Sequence, residues 1–96
     1  MFEIVPEMKK LRNWLDEQKI DWVDESDNLK DFFMCRTHFI YKDKHISVVN
    51  GFGSYGGISF AENRKNMGFL EFYDMETKPH GWLTCDDVIE LLKKYY

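Results

Sequence analysis

Apolar residues recur at helical spacing near the start of the chain: Met8, Leu11 and Leu15 fall at i, i+3 and i+7, with Trp14 beside them. Pro6 suits a first helical turn, where its missing N–H leaves nothing unpaired. The spacing predicts an amphipathic helix over residues 6–18. Lys19-Ile20-Asp21-Trp22-Val23 reads as a short strand, and Glu25-Ser26-Asp27-Asn28 as a polar turn. Residues 32–41 and 45–50 then alternate with a period of two, around Lys42-Asp43-Lys44, and predict a hairpin. A two-residue loop at Asp43-Lys44 pairs Tyr41 with Ile46 and Phe39 with Val48. That register gathers Phe33, Cys35, Phe39, Tyr41, Ile46 and Val48 on one face and leaves Arg36, His38, Ile40, Ser47 and Val49 on the other.

Further on, Ile58-Ser59-Phe60 reads as a short strand, Glu62 to Asn66 as a polar loop, and Phe69-Leu70-Glu71-Phe72-Tyr73 as a strand ended by Thr77-Lys78-Pro79-His80-Gly81. The final helix carries the strongest signals. Thr84 is placed as its N-cap, Asp87 three residues on completes a capping box, and Leu83 can staple onto Val88. Cys85, Val88, Leu92 and Tyr95 then form a buried stripe, and Lys93 and Lys94 suit the negative C-terminal end. The expected order is α-β-β-β-(β)-α. This is an α+β fold in which an antiparallel sheet of three to five strands carries an N-terminal and a C-terminal helix on one face.

Length and composition bound the rest. The 96 residues suit a single domain, 1–96, and eight Phe, five Tyr and three Trp supply its core volume. A net charge of −4 argues against non-specific nucleic-acid binding. The chain shows no signal-like start and no run of 18 apolar residues, so a cytoplasmic protein without membrane attachment is expected. Two cysteines make no disulfide framework.

The candidate chemistry centres on Asn50-Gly51-Phe52-Gly53-Ser54-Tyr55-Gly56-Gly57, which follows a β-branched run. Glycines 51, 53 and 56 satisfy G-x-G-x-x-G, a spacing that lets backbone N–H groups surround a phosphate. No βαβ unit accompanies it, as a dinucleotide fold requires. No lysine-bearing strand or metal-binding Asp-Phe-Gly follows, as a kinase requires. Arg36, His38 and Asn50 are expected to converge with this loop, giving a binding site of Arg36, His38, Asn50, Gly51, Gly53, Ser54, Tyr55 and Gly56. Phe52, Tyr55 and Trp82 offer stacking area, and arginine offers a donor fork for phosphate or carboxylate. Cys35-x-x-His38 and His80-x4-Cys85 imitate zinc ligand pairs. Residues three apart on a strand diverge, however, and Cys85 falls on an apolar stripe, so neither a metal site nor a cofactor is expected. No nucleophile sits in a catalytic setting. A hydrolytic centre would have to use Glu71 and His38.

Arg36-Thr37-His38-Phe39, the run from Ile46 to Gly57, and the ending Gly81-Trp82-Leu83-Thr84-Cys85-Asp86-Asp87-Val88-Ile89 resemble small uncharacterised proteins encoded in phages and prophages of Gram-positive bacteria. The resemblance runs from roughly Trp14 onward. It implies the cytoplasm of a host cell and a protein that interferes with host systems, as anti-CRISPR proteins and nucleotide-signal sponges do. The leading expectation is a non-enzymatic binding protein that occupies a host protein or a small anionic ligand. A nucleotide-binding sponge using the Gly51–Gly57 loop is the second reading, and a small metal-dependent nuclease or hydrolase the third. Homo-oligomerisation stays open.

Overall fold

The computed structural model describes residues 4–29, 32–58 and 65–96. It is an α+β fold: helix α1 (Pro6–Glu17), strands β1 (Trp22–Asp24), β2 (Asp27–Leu29), β3 (Phe32–Tyr41), β4 (Lys44–Gly51), β5 (Leu70–Tyr73) and β6 (His80–Leu83), then helix α2 (Cys85–Tyr95). All strands pair antiparallel in one sheet ordered β1–β3–β4–β5–β6, with β2 also on β3.

Helix α1 ends as the sequence pattern requires, but the chain beyond it departs from the expected strand. Lys19 takes a left-handed φ of +60°, and the N–H groups of Lys19 and Ile20 donate back to the carbonyls of Asp16 and Leu15. This is a Schellman termination built on lysine instead of glycine. It consumes residues 19 and 20, so β1 begins only at Trp22. The expected polar turn at Glu25–Asn28 is instead an interruption within one edge. Trp22 faces Phe39 and Asp27 faces Met34, so β1 and β2 follow a common register along β3. Between them the Ser26 hydroxyl accepts the Arg36 N–H, replacing a ladder carbonyl.

The β3–β4 hairpin keeps the expected faces but slips by two residues. Its loop is Lys42-Asp43, with φ of +47° and +68°, and it pairs Tyr41 with Lys44 and Phe39 with Ile46. Both central residues at positive φ give the hand of turn that matches strand twist. A two-residue slip preserves side-chain parity. Cys35, Phe39, Ile46 and Val48 are therefore buried together, as the pattern predicts. The side chain of Phe33 lies outside the described residues. So do Ser59, Phe60 and the chain to residue 64; Ile58 itself bridges Phe52 and Asn66.

Both helices cover this one face. Met8, Leu11 and Leu15 of α1 and Cys85, Val88 and Leu92 of α2 join the strand residues and Leu70 and Phe72 in a single core. Tyr95, expected in the α2 stripe, is 61% exposed and lies off that face. The capping box forms as predicted: Asp87 N–H donates to Thr84 Oγ1 and Thr84 N–H to the Asp87 carboxylate. One buried cation crosses the interface. Arg12 lies over the Trp22 ring, donates from Nε to Thr37 Oγ1 at 2.8 Å, and pairs with Asp24 at 3.3 Å. Strand β6 takes in His80 and Gly81, read in the sequence as the end of the preceding strand. It reaches β5 through an irregularity between Phe72–His80 and Leu70–Leu83.

Candidate functional site

The helix-free face of the sheet is where the expected site residues meet, and it receives only part of them. Arg36 and His38 lie there, paired with Val49 and Ser47 across β4, while Glu71 and Tyr73 continue the same rows on β5. Arg36 is half-buried, and its Nε is buried without a hydrogen-bond partner. A buried donor left unpaired costs free energy, and this nitrogen lies beneath the surface, out of reach of an incoming ligand. Asn50 does not join them. It faces Cys35 in the register, which puts it on the helix-covered side, fully buried. Its amide exchanges two hydrogen bonds with the Asn66 amide, at 3.0 and 2.7 Å, and donates to the Phe69 carbonyl at 2.8 Å. Asn50 fastens the base of the glycine loop and presents nothing to a ligand.

The loop itself is turned inward. Gly53 N–H donates to the Ile58 carbonyl, Ser54 N–H and Ile58 N–H to the Gly51 carbonyl, and Gly57 N–H to the Ser54 carbonyl. The Gly51 N–H donates to Ser54 Oγ, and the Tyr55 N–H to the Glu71 carboxylate at 3.1 Å. A phosphate cradle needs N–H groups pointing at the anion. These six point at the protein, and one already holds a carboxylate. The glycines serve close packing instead. Gly56 sits at φ +87°, where a Cβ would lie 2.6 Å from Phe69 Cβ, and a Cβ on Gly57 would lie 2.4 Å from the Gly51 carbonyl oxygen.

This tight loop presents aromatic side chains to solvent. Tyr55 and Trp82 are each 58% exposed, and Met67 is 50% exposed. Trp82 N–H donates to the Tyr55 carbonyl at 3.2 Å, and the Trp82 ring packs on Phe69 with centroids 5.7 Å apart. Gly81 lets the two elements touch, since a Cβ there would lie 2.1 Å from Tyr55 Cβ. Trp82 has a φ of +59°, a region that side-chain-bearing residues avoid. Together the 53–58 loop, Met67 and Trp82 line a shallow cavity of about 270 Å³. Sequence reasoning named Trp82 only as stacking area and did not reach Met67 or Phe69. The one available signal was Gly81 directly before the tryptophan.

Other reactive groups are occupied or shielded. Burial raises the Cys35 thiol above its ordinary value and pushes Cys85 up to about 11, opposite to what a thiolate nucleophile needs. Cys35 and His38 lie on opposite faces, as their spacing predicts. Asp74 is buried under the Tyr96 hydroxyl, whose hydrogen bond holds its carboxyl well below the usual range. The backbone N–H groups of Thr77 and Glu76 and the Thr77 hydroxyl add to this. Desolvation and that same bond push Tyr96 up to about 12. This pair clamps the β5–β6 turn to the end of α2. Among the described residues no helix is long and apolar enough to cross a membrane. Comparison with protein-family models, curated proteins and solved structures returns no match, and the geometry alone carries the functional reading.

Proposed function

We propose that this chain is a non-catalytic binding protein, of the phage or prophage kind its sequence resembles, that acts in a host cytoplasm by occupying a host protein. The observation that carries this reading is the Tyr55–Trp82 corner. Two large aromatics stand in solvent on a support fixed by glycine packing and a backbone hydrogen bond. Trp82 sits at positive φ in the β5–β6 irregularity, which turns its ring outward beside Tyr55. Trp and Tyr dominate binding hot spots, and rigid presentation lowers the ordering cost of association. A net charge of −4 favours a partner with a basic surface.

A small anionic ligand, or a nucleotide sponge built on the Gly51–Gly57 loop, draws less support because the loop donors point inward. The hydrolase reading draws less still, with Glu71 accepting the Tyr55 N–H and His38 engaged by neighbouring side chains.

Native mass spectrometry of the protein purified from its host tests the reading. The wild-type chain is expected to carry a stoichiometric protein partner that Trp82→Ala loses. The variant's stability should change by less than about 1 kcal/mol, as for an exposed side chain. A partner retained in full by Trp82→Ala overturns the assignment of the corner. A nucleotide released on denaturation transfers support to the sponge.

A further inference from the structure

At the far end of the helix-free face, the hairpin brings two histidines together that the sequence never relates. His38 on β3 and His45 on β4 are diagonal neighbours, since His38 faces Ser47 and Ile40 faces His45. Their rings lie nearly parallel, at 14° with centroids 5.4 Å apart, and His45 Nδ1 approaches His38 Nε2 at 3.3 Å. On the far side of the first ring, Glu25 Oε1 stands 3.8 Å from His38 Nδ1.

We infer that His38 and His45 form a two-nitrogen site for a divalent zinc-class ion. Three observations converge on it. First, nitrogens bound at about 2.05 Å to a tetrahedral zinc ion stand about 3.3 Å apart, the separation found here. Second, the Glu25 carboxylate stands behind the first ring, 3.8 Å from His38 Nδ1, while Nε2 of the same ring faces His45. A carboxylate behind a histidine is the usual outer partner of a metal-bound imidazole. Third, the pair is open to solvent. His45 is exposed, and His38 lines a groove of about 520 Å³ with the exposed Val23 and Ile40.

Binding requires a lone pair on each facing nitrogen, so the bound form carries the ring protons on the outer nitrogens, Nδ1 of His38 and Nε2 of His45. Among the described residues no group of three or more His, Cys, Asp or Glu side chains is placed to hold a metal ion, so the pair fills half a tetrahedron and water completes it. The sequence pattern pointed to Cys35 with His38, which the pleat separates. Pairing across a tight hairpin supplies the second nitrogen instead.

The test is titration of the whole chain with zinc sulfate by calorimetry, together with long-range 1H–15N spectra of the histidine rings. One ion per chain is expected, with the resonances of His38 Nε2 and His45 Nδ1 moving and those of His80 unmoved. His45→Gln, at an exposed position that keeps the fold, should weaken binding at least tenfold, and Glu25→Gln by about tenfold. No heat and no ring shift up to millimolar zinc overturns the site. So does zinc binding that His45→Gln leaves unchanged.

Discussion

Adding a single methyl group to Gly56 and to Gly68 separates the two reasons a chain uses glycine. Both residues sit at positive φ, +87° and +83°. An alanine there takes a left-handed conformation costing about 1–2 kcal/mol, offset by about 0.4–1 kcal/mol from the stiffer unfolded chain. At Gly68 the new Cβ meets nothing within 4 Å, so the net loss is about 1 kcal/mol. At Gly56 the same Cβ lies 2.6 Å from Phe69 Cβ and 3.1 Å from Trp82 Cα. Neither is the far end of a flexible side chain, so loop and β6 must part. Overpacking of this kind adds about 1–3 kcal/mol and brings the total for Gly56→Ala to about 2–4 kcal/mol. In a domain of this size each kcal/mol moves Tm by about 4–8 °C. Urea and thermal unfolding of the two variants read the difference directly. Gly56→Ala should fall at least about 1 kcal/mol below Gly68→Ala with an unchanged dependence on urea. Equal losses, within about 0.5 kcal/mol, refute the claim that the loop's glycines are packing devices that position Trp82.

Three further outcomes follow from the packing. Thr84→Ala removes the side-chain half of the α2 capping box, leaving the backbone N–H of residue 84 on the Asp87 carboxylate, and should cost about 1 kcal/mol by urea unfolding. Arg12→Ala strips a buried partner from Thr37 and leaves Asp24 without its guanidinium; a loss of about 2–4 kcal/mol is expected in the same assay. The Asp74–Tyr96 clamp makes stability depend on pH at both extremes. A carboxyl lowered in the folded state stabilises above its unfolded pKa and loses that contribution as pH falls into the acid range. A phenol raised to about 12 stabilises below pH 10 and loses its contribution as pH climbs from about 10 to 12. Tyr96→Phe should flatten the alkaline part of a stability-against-pH curve and shrink the acid part; an unchanged curve dismisses the clamp.

Much of the fold is legible in the sequence because burial on one side imposes a period. Met8, Leu11 and Leu15 fix α1, Val88 and Leu92 fix α2, and strand alternation sorts Cys35 and Phe39 from Arg36 and His38. What the pattern loses is what parity cannot distinguish. A hairpin slipped by two residues buries the same faces, and the turn that decides between registers uses Lys42 and Asp43 at positive φ, where lysine carries no signal. The Schellman end at Lys19 is hidden for the same reason. Strand β6 is hidden because Gly81 reads as a stop, yet here it is the gap that admits Tyr55. Among the site residues, Arg36 and His38 follow from alternation. Asn50 was misplaced because it was grouped with the loop instead of with the parity of Val48.

Strand β4 is buried from Ile46 to Gly51 on both faces and pairs with β3 along its length and with β5 from Ser47 to Val49, whereas β1, β2 and β6 each pair with one strand only. The molecule therefore has a graded resistance to opening. Amides of Ser47 to Val49 are expected to exchange with deuterium through opening of the whole domain, and those of β6 through smaller excursions. Trp82 lies on an edge strand but is tied to the 53–58 loop by its N–H bond to the Tyr55 carbonyl and by the packing of Gly81, so the anchor keeps its presentation where a free edge would yield.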